Sequence, residues 1–214
     1  MPACATGSTT RIRATEASLA GSTFRRLDRR SVHTACVPPA REPIEVTVEI
    51  PSGSRNKYEY DHQGHRYVLD RVLFSSVHYP CDYGFLEGSL ADDGDPLDVL
   101  VLISEPTFPG CVVRARPVGV LDMTDDKGHD YKILAVAHDD PRYEEAAALE
   151  DVSPHLLREI ENFFSIYKEL EGRATEVRGW LGVGEARRII DAARASGRAA
   201  EEGARETGEP GTWR

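Results

Sequence analysis

Asp92-Asp93-Gly94-Asp95-Pro96-Leu97-Asp98 runs straight into the apolar stretch Val99-Leu100-Val101-Leu102-Ile103. Four carboxylates fall within seven residues, and Gly94 and Pro96 force a turn between them. In water such a cluster repels itself, each neighbour raising the cost of ionising the next. Hard divalent cations reverse that cost, because they take oxygen ligands. A solvated acidic hairpin is the ordinary reading of a charged turn. Asp98 argues against it, since it opens a hydrophobic strand, where an unpaired charge is expensive. The stretch therefore reads as a metal-binding turn held at a strand end.

Other acidic motifs do not fit. An EF-hand loop starting at Asp93 needs glycine at position 98 and an acid at 104, where the chain has Asp98 and Ser104. Haloacid-dehalogenase-type phosphatases also use two aspartates, but there the apolar strand precedes the pair, and here it follows.

Upstream, Ile44-Glu45-Val46-Thr47-Val48-Glu49-Ile50 alternates strictly, which predicts a strand with Ile44, Val46, Val48 and Ile50 on one face. Lys57-Tyr58-Glu59-Tyr60 predicts a second strand, in which Lys57 and Glu59 share a face and read as a surface ion pair. Residues 66–74 predict a third, with Arg71 set among Leu69, Val72 and Leu73 and in need of an anionic partner. Tyr79-Pro80-Cys81-Asp82-Tyr83-Gly84-Phe85 reads as an aromatic, turn-prone lead into the acidic cluster. Downstream, residues 111–121 and 131–137 predict two more strands joined by a second acidic loop over 122–130.

The last third turns helical. Ser153 is the expected N-cap, with Pro154 at the first helical position. Leu156, Leu157, Ile160, Phe163, Phe164, Tyr167 and Leu170 follow helical spacing up to Gly172. Tyr167 sits in the core stripe and Lys168 at its edge. A shorter helix is expected over about 185–195. Five or six short strands followed by packing helices predict an α+β, mainly β fold, a small β-barrel with C-terminal helices packed on one side.

With 214 residues the chain suits one core. Its net charge of −10 is uneven: residues 1–41 carry seven Arg against Glu16 and Asp28, or +5, which leaves −15 for the rest. That balance disfavours a nucleic-acid binder. No apolar run approaches the roughly 20 residues of a membrane span. Cys4, Cys36, Cys81 and Cys111 form no C-x-x-C pair, which points to reduced thiols in the cytoplasm. Residues 1–42 read as a disordered extension or an over-long start; a transit peptide is the weaker reading of their Arg- and Ser-rich composition. A domain over 43–196 and a disordered tail over 197–214 complete the expected layout.

Taken together, these residues resemble the soluble inorganic pyrophosphatases of the Mg²⁺-dependent OB-barrel type. D-G-D-P-L-D-V-L-V at 93–101 is similar to that family's signature, and V-E-I-P at 48–51, K-Y-E at 57–59, L-D-R at 69–71, Y-P-C-D-Y-G at 79–84, M-T-D-D at 123–126 and F-F-S-I-Y-K-E-L-E at 163–171 follow in family order. The likeness spans about 44–195, and R-N-K-Y-E at 55–59 gives it a bacterial, actinobacterial look. The resemblance implies an OB-like five-stranded β-barrel with C-terminal helices packed on one side, and hydrolysis of pyrophosphate to two orthophosphates. It implies that Asp93, Asp98 and Asp130 hold a first Mg²⁺, and that Asp125 and Asp130, with Glu49 and Glu59 through water, hold further ions. Three to four ions would serve during turnover, with Mn²⁺ or Zn²⁺ as substitutes. Lys57, Arg71, Tyr83, Lys132, Tyr167 and Lys168 would bind phosphate oxygens, Tyr79 would line the pocket, and Asp95 would be the general base, with Asp130 the second catalytic carboxylate. The implied assembly is a homohexamer without membrane or nucleic-acid partners. Asp126 departs from the Glu common in the family. Two rivals remain, an OB-fold binding module without catalysis and a degenerate pyrophosphatase scaffold, but no expected site residue is missing.

Overall fold

In the computed structural model, which describes residues 42–126 and 128–207, the strict alternation near residue 44 becomes β1 (Ile44–Ile50). It is followed by β2 (Asn56–Asp61), β3 (Arg66–Val72), β4 (Asp82–Leu86), β5 (Asp98–Leu102), β6 (Val112–Asp125) and β7 (Gly128–Ala137). Helix α1 (Pro154–Ile166), strand β8 (Glu176–Gly182) and helix α2 (Val183–Thr207) close the chain. Strands pair in the order β1-β4-β5-β7-β6, and β6 returns to β1, so five strands form a closed ring. Closure removes the sheet edges that would otherwise invite association. β8 adds to β6 outside the ring, and β2–β3 form a hairpin sheet of their own.

Alternation assigns the two faces of the wall. Val99 and Val101 join one apolar cluster with Val46, Val48, Ile133 and the α2 residues Ala186, Ile189, Ile190 and Ala193. Leu100 and Leu102 join the other, with Leu121, Leu134 and the α1 residues Ile160, Phe163 and Phe164. Each helix thus covers a different set of strand residues. Ile50 departs from its expected partners: a bulge between Val48 and Ile50 shifts the register, and Ile50 falls in the α1 cluster. Asp82 opens β4 fully buried and is satisfied there, accepting from Ser52 N (2.8 Å), Thr107 N (3.0 Å) and Thr107 Oγ1 (2.6 Å). It pins two loops to the barrel.

Several expectations need correction. The acidic loop expected over 122–130 is mostly ladder: β6 and β7 stay paired out to Asp125 and Gly128. The aromatic segment expected as a turn contains β4, and β8 was not expected at all. The first helix ends at Ile166; a 3-10 turn over Glu169–Glu171 follows, and Gly172, at φ 72°, ends that turn. Ser153 stands at the N-cap, but its hydroxyl makes no capping bond. Most plainly, α2 continues through residues 197–207, where a disordered tail was expected. Gly197 is no breaker there, because a Cβ on it would overlap the Gly88 carbonyl oxygen and the helix packs backbone to backbone at that point. The expectations for residues 1–41 and 208–214 lie outside the described residues.

Candidate active site

β5 and β7 run parallel, and their register sets Asp98 opposite Lys132. Asp130 lies two residues before Lys132 and shares its face. Lys132 Nζ donates to Asp98 Oδ2 at 2.6 Å, to Asp130 Oδ1 at 2.9 Å and to Tyr83 Oη at 3.4 Å. It lies about 5.4 Å from the centre of the Tyr83 ring and 5.3 Å from that of Phe164, within cation–π range. Burial alone would push this ammonium down, but the Asp98 and Asp130 carboxylates outweigh it and hold it well above its ordinary value. Asp130 is raised by its own burial, against the pull of Lys132.

The acidic turn forms the facing rim. Gly94 takes φ 87°, a left-handed conformation that a side chain would strain, and the turn closes with Asp95 N donating to Asp93 Oδ1 at 3.1 Å. Asp93 is in contact with solvent, yet loss of water on its cleft side raises its carboxyl, and Asp95, Asp98 and Asp130 push the same way. Asp92 is exposed just outside the cleft. On β1, the bulge accompanies Glu49 into the wall, where its Oε1 accepts from Tyr60 N at 2.7 Å. Burial pushes its carboxyl up to about 7, against that bond.

The hairpin and the end of α1 supply the remaining walls. Lys57 pairs with Glu59, as expected, and stands 3.4 Å from Asp70. Arg71 lies opposite Lys57 and is bonded to Asp70 and to Glu171. Lys168 Nζ donates to Asp125 Oδ2 at 2.7 Å and lies 5.3 Å from the ring of buried Tyr167. Arg173 Nε donates to Asp126 Oδ2 at 3.1 Å.

These side chains surround one cleft of about 590 Å³, into which the structure brings every one of the thirteen residues named from the sequence as catalytic, substrate-binding or metal-binding. Tyr79 is not among the wall residues: it is buried beside Tyr83 and Phe163, and acts as packing behind the site. The cleft also takes in Asp61, His62, Asp70 and Arg173. Asp70 could have been found from its place beside Arg71, but nothing in the local pattern marks the others. Nine carboxylates line the cleft against five Lys and Arg side chains. The donors are oxygen, as hard cations require, and the excess of negative charge is what a cation site offers. Among the described residues no three acidic, His or Cys side chains converge closely enough to hold an ion as they stand. Lys132 and Lys168 draw those carboxylates to themselves instead.

A profile described as inorganic pyrophosphatase matches residues 46–197. An inorganic pyrophosphatase of a Nostoc species is 52% identical over 157 residues, covering 72% of this chain and 93% of that protein. One from Methanosarcina acetivorans is 57% identical over 143 residues, covering 67% and 85%. The crystal structure of the Thermus thermophilus inorganic pyrophosphatase superposes with a TM-score of 0.72 at 41% identity, covering 75% of this chain and 94% of its own. Divalent-metal dependence is general in that family. With its ring of five strands, its two helices and its acidic cleft, the chain belongs to the inorganic pyrophosphatase family and is a hydrolase of inorganic pyrophosphate.

Proposed function

We propose that the cleft performs this hydrolysis with Mg²⁺ held by Asp93, Asp98 and Asp130, with Asp125, Glu49 and Glu59 serving further ions, three to four in all, and with Asp95 as general base. The observation that carries the reading is the cleft's charge: with nine carboxylates against five cationic side chains, a polyanion has no net attraction to it until cations arrive. Mg²⁺ bound there supplies a lowered pKa for the attacking water and neutralises phosphate oxygens; Mn²⁺ or Zn²⁺ would substitute. The chain's own groups do the rest. Asp95 takes the proton of the attacking water on a carboxylate oxygen as the water oxygen bonds to one phosphorus. The bond from that phosphorus to the bridging oxygen breaks, and the bridging oxygen departs with the second phosphate. Lys57, Arg71, Lys132 and Lys168, with the Tyr83 and Tyr167 hydroxyls, hold the oxygens on which charge develops. Lys132 and Lys168 are bonded to carboxylates in the structure, and with cations held by those carboxylates both ammonium groups would be available to phosphate.

Purified protein should release phosphate from pyrophosphate at millimolar Mg²⁺ and neutral pH, and stop when chelator is added. No release, or equal release in chelator, overturns the reading. An OB-fold binding module would show neither, and the charge of −15 over residues 42–214 disfavours the basic binding face it would need.

Within the same proposal the protein is a cytoplasmic homohexamer. Exposed Phe74 and Phe108, 62% and 65% accessible, are the apolar surface that such packing would cover. Cys81 and Cys111 are free thiols, and no helix among the described residues is long and apolar enough to cross a membrane. Residues 1–41 supply no proposed site residue, so deleting them should leave phosphate release nearly unchanged. An insoluble or inactive truncation would give that segment a structural role.

A further inference from the structure

Arg71 stands outside the barrel, on a hairpin whose two strands pair only with each other. Its guanidinium is held on two sides: Nη1 donates to Asp70, and Nε donates to Glu171 Oε1 at 2.9 Å. The third nitrogen, Nη2, is buried and has no hydrogen-bond partner. An unmet N–H on a desolvated cation is expensive, and a phosphate oxygen relieves it with a charge-assisted bond. Glu171 lies 100 residues further along the chain, and its side chain is only 8% exposed. It closes the 3-10 turn that follows Tyr167 and Lys168. Asp70 also faces Lys57 at 3.4 Å, so its charge is shared between two cations.

We infer that Glu171 is a positioning residue for the substrate. Its carboxylate fixes the Arg71 guanidinium so that Nη2 is presented to a phosphate of pyrophosphate. The same bond ties the hairpin carrying Lys57 and Arg71 to the turn carrying Tyr167 and Lys168, so the two halves of the phosphate-binding wall keep their spacing. This inference rests on the reading of Arg71 as a phosphate ligand. Without Glu171, Arg71 turns towards Asp70 and solvent, and must be re-ordered each time the substrate binds, which weakens binding more than it slows the chemical step.

The test is a double-variant cycle on the full chain, with KM and kcat for pyrophosphate measured at saturating Mg²⁺. Glu171→Gln should raise KM about tenfold, within the range for contacting pairs, with kcat little changed. Arg71→Ala should raise KM further, and adding Glu171→Gln to Arg71→Ala should then do nothing more. Glu171→Asp, which keeps the charge on a shorter arm, should recover part of the loss; it also serves if the Gln variant folds poorly. A Glu171→Gln protein with a lowered melting midpoint and an unchanged KM overturns the inference, as does a full tenfold effect persisting on the Arg71→Ala background. An unchanged KM for Arg71→Ala alone removes the underlying reading of Arg71, and that single variant tells this failure apart from the others.

Discussion

Asp95→Asn should cut kcat by roughly 10²–10⁴, the range for loss of a general base, and added Mg²⁺ should not restore it. Asp93→Asn and Asp98→Asn keep the shape of the turn and remove one charge each from the proposed cation site. They should weaken Mg²⁺ binding by roughly tenfold or more, taking outer-shell losses as a lower guide, and excess Mg²⁺ should recover much of their activity. Asp92→Asn is the control, because Asp92 is exposed and outside the cleft. It should change turnover little. The measurement is kcat against Mg²⁺ concentration for the four single variants. Recovery of Asp95→Asn by metal, with none for Asp93→Asn, would mean that base and ligand have been exchanged.

Lys132→Met should produce an inactive protein whose stability depends on metal. Lys132, 2% exposed, is the cation between Asp98 and Asp130. Methionine fills its space between the Tyr83 and Phe164 rings but leaves two close carboxylates uncompensated. Breaking a buried pair costs about 3–5 kcal/mol; because Asp98 and Asp130 keep some solvent, about 2–4 kcal/mol is expected here in chelator. Mg²⁺ should return much of it, since it binds the folded site and the competing ammonium is gone. Urea unfolding with and without Mg²⁺ checks this. Equal stability of variant and parent in chelator, or a deficit untouched by Mg²⁺, contradicts it.

The site was more legible than the fold that builds it. Asp93, Asp95 and Asp98 announce themselves because charge at the mouth of an apolar strand needs a reason, and that holds whatever the neighbouring topology. β1 was legible because its alternation is strict. β4 was not: all five of its residues are buried, so it has no polar face to mark a two-residue period. β8 was hidden by Gly179, at φ 124°, and by its half-exposed residues. The stretch from Gly197 read as a disordered tail because the close approach of Gly197 to Gly88 is tertiary, and no local pattern records it. Glu171 was seen only as part of a motif, since its partner Arg71 lies 100 residues away.

The β1–β6 ladder, pairing Ile44–Thr47 with Val112–Ala115, has a consequence for how the protein comes into being. A ring closed between such distant segments must meet its loop-closure cost before most of its contacts repay it, which places the chain among slow folders. The cleft draws on β1, β2, β3, β4, β5, β6, β7 and the turn after α1. During synthesis Asp98 therefore waits for Lys132, 34 residues further on, and Asp125 for Lys168, 43 further on, before either carboxylate has the lysine it is bonded to in the folded structure.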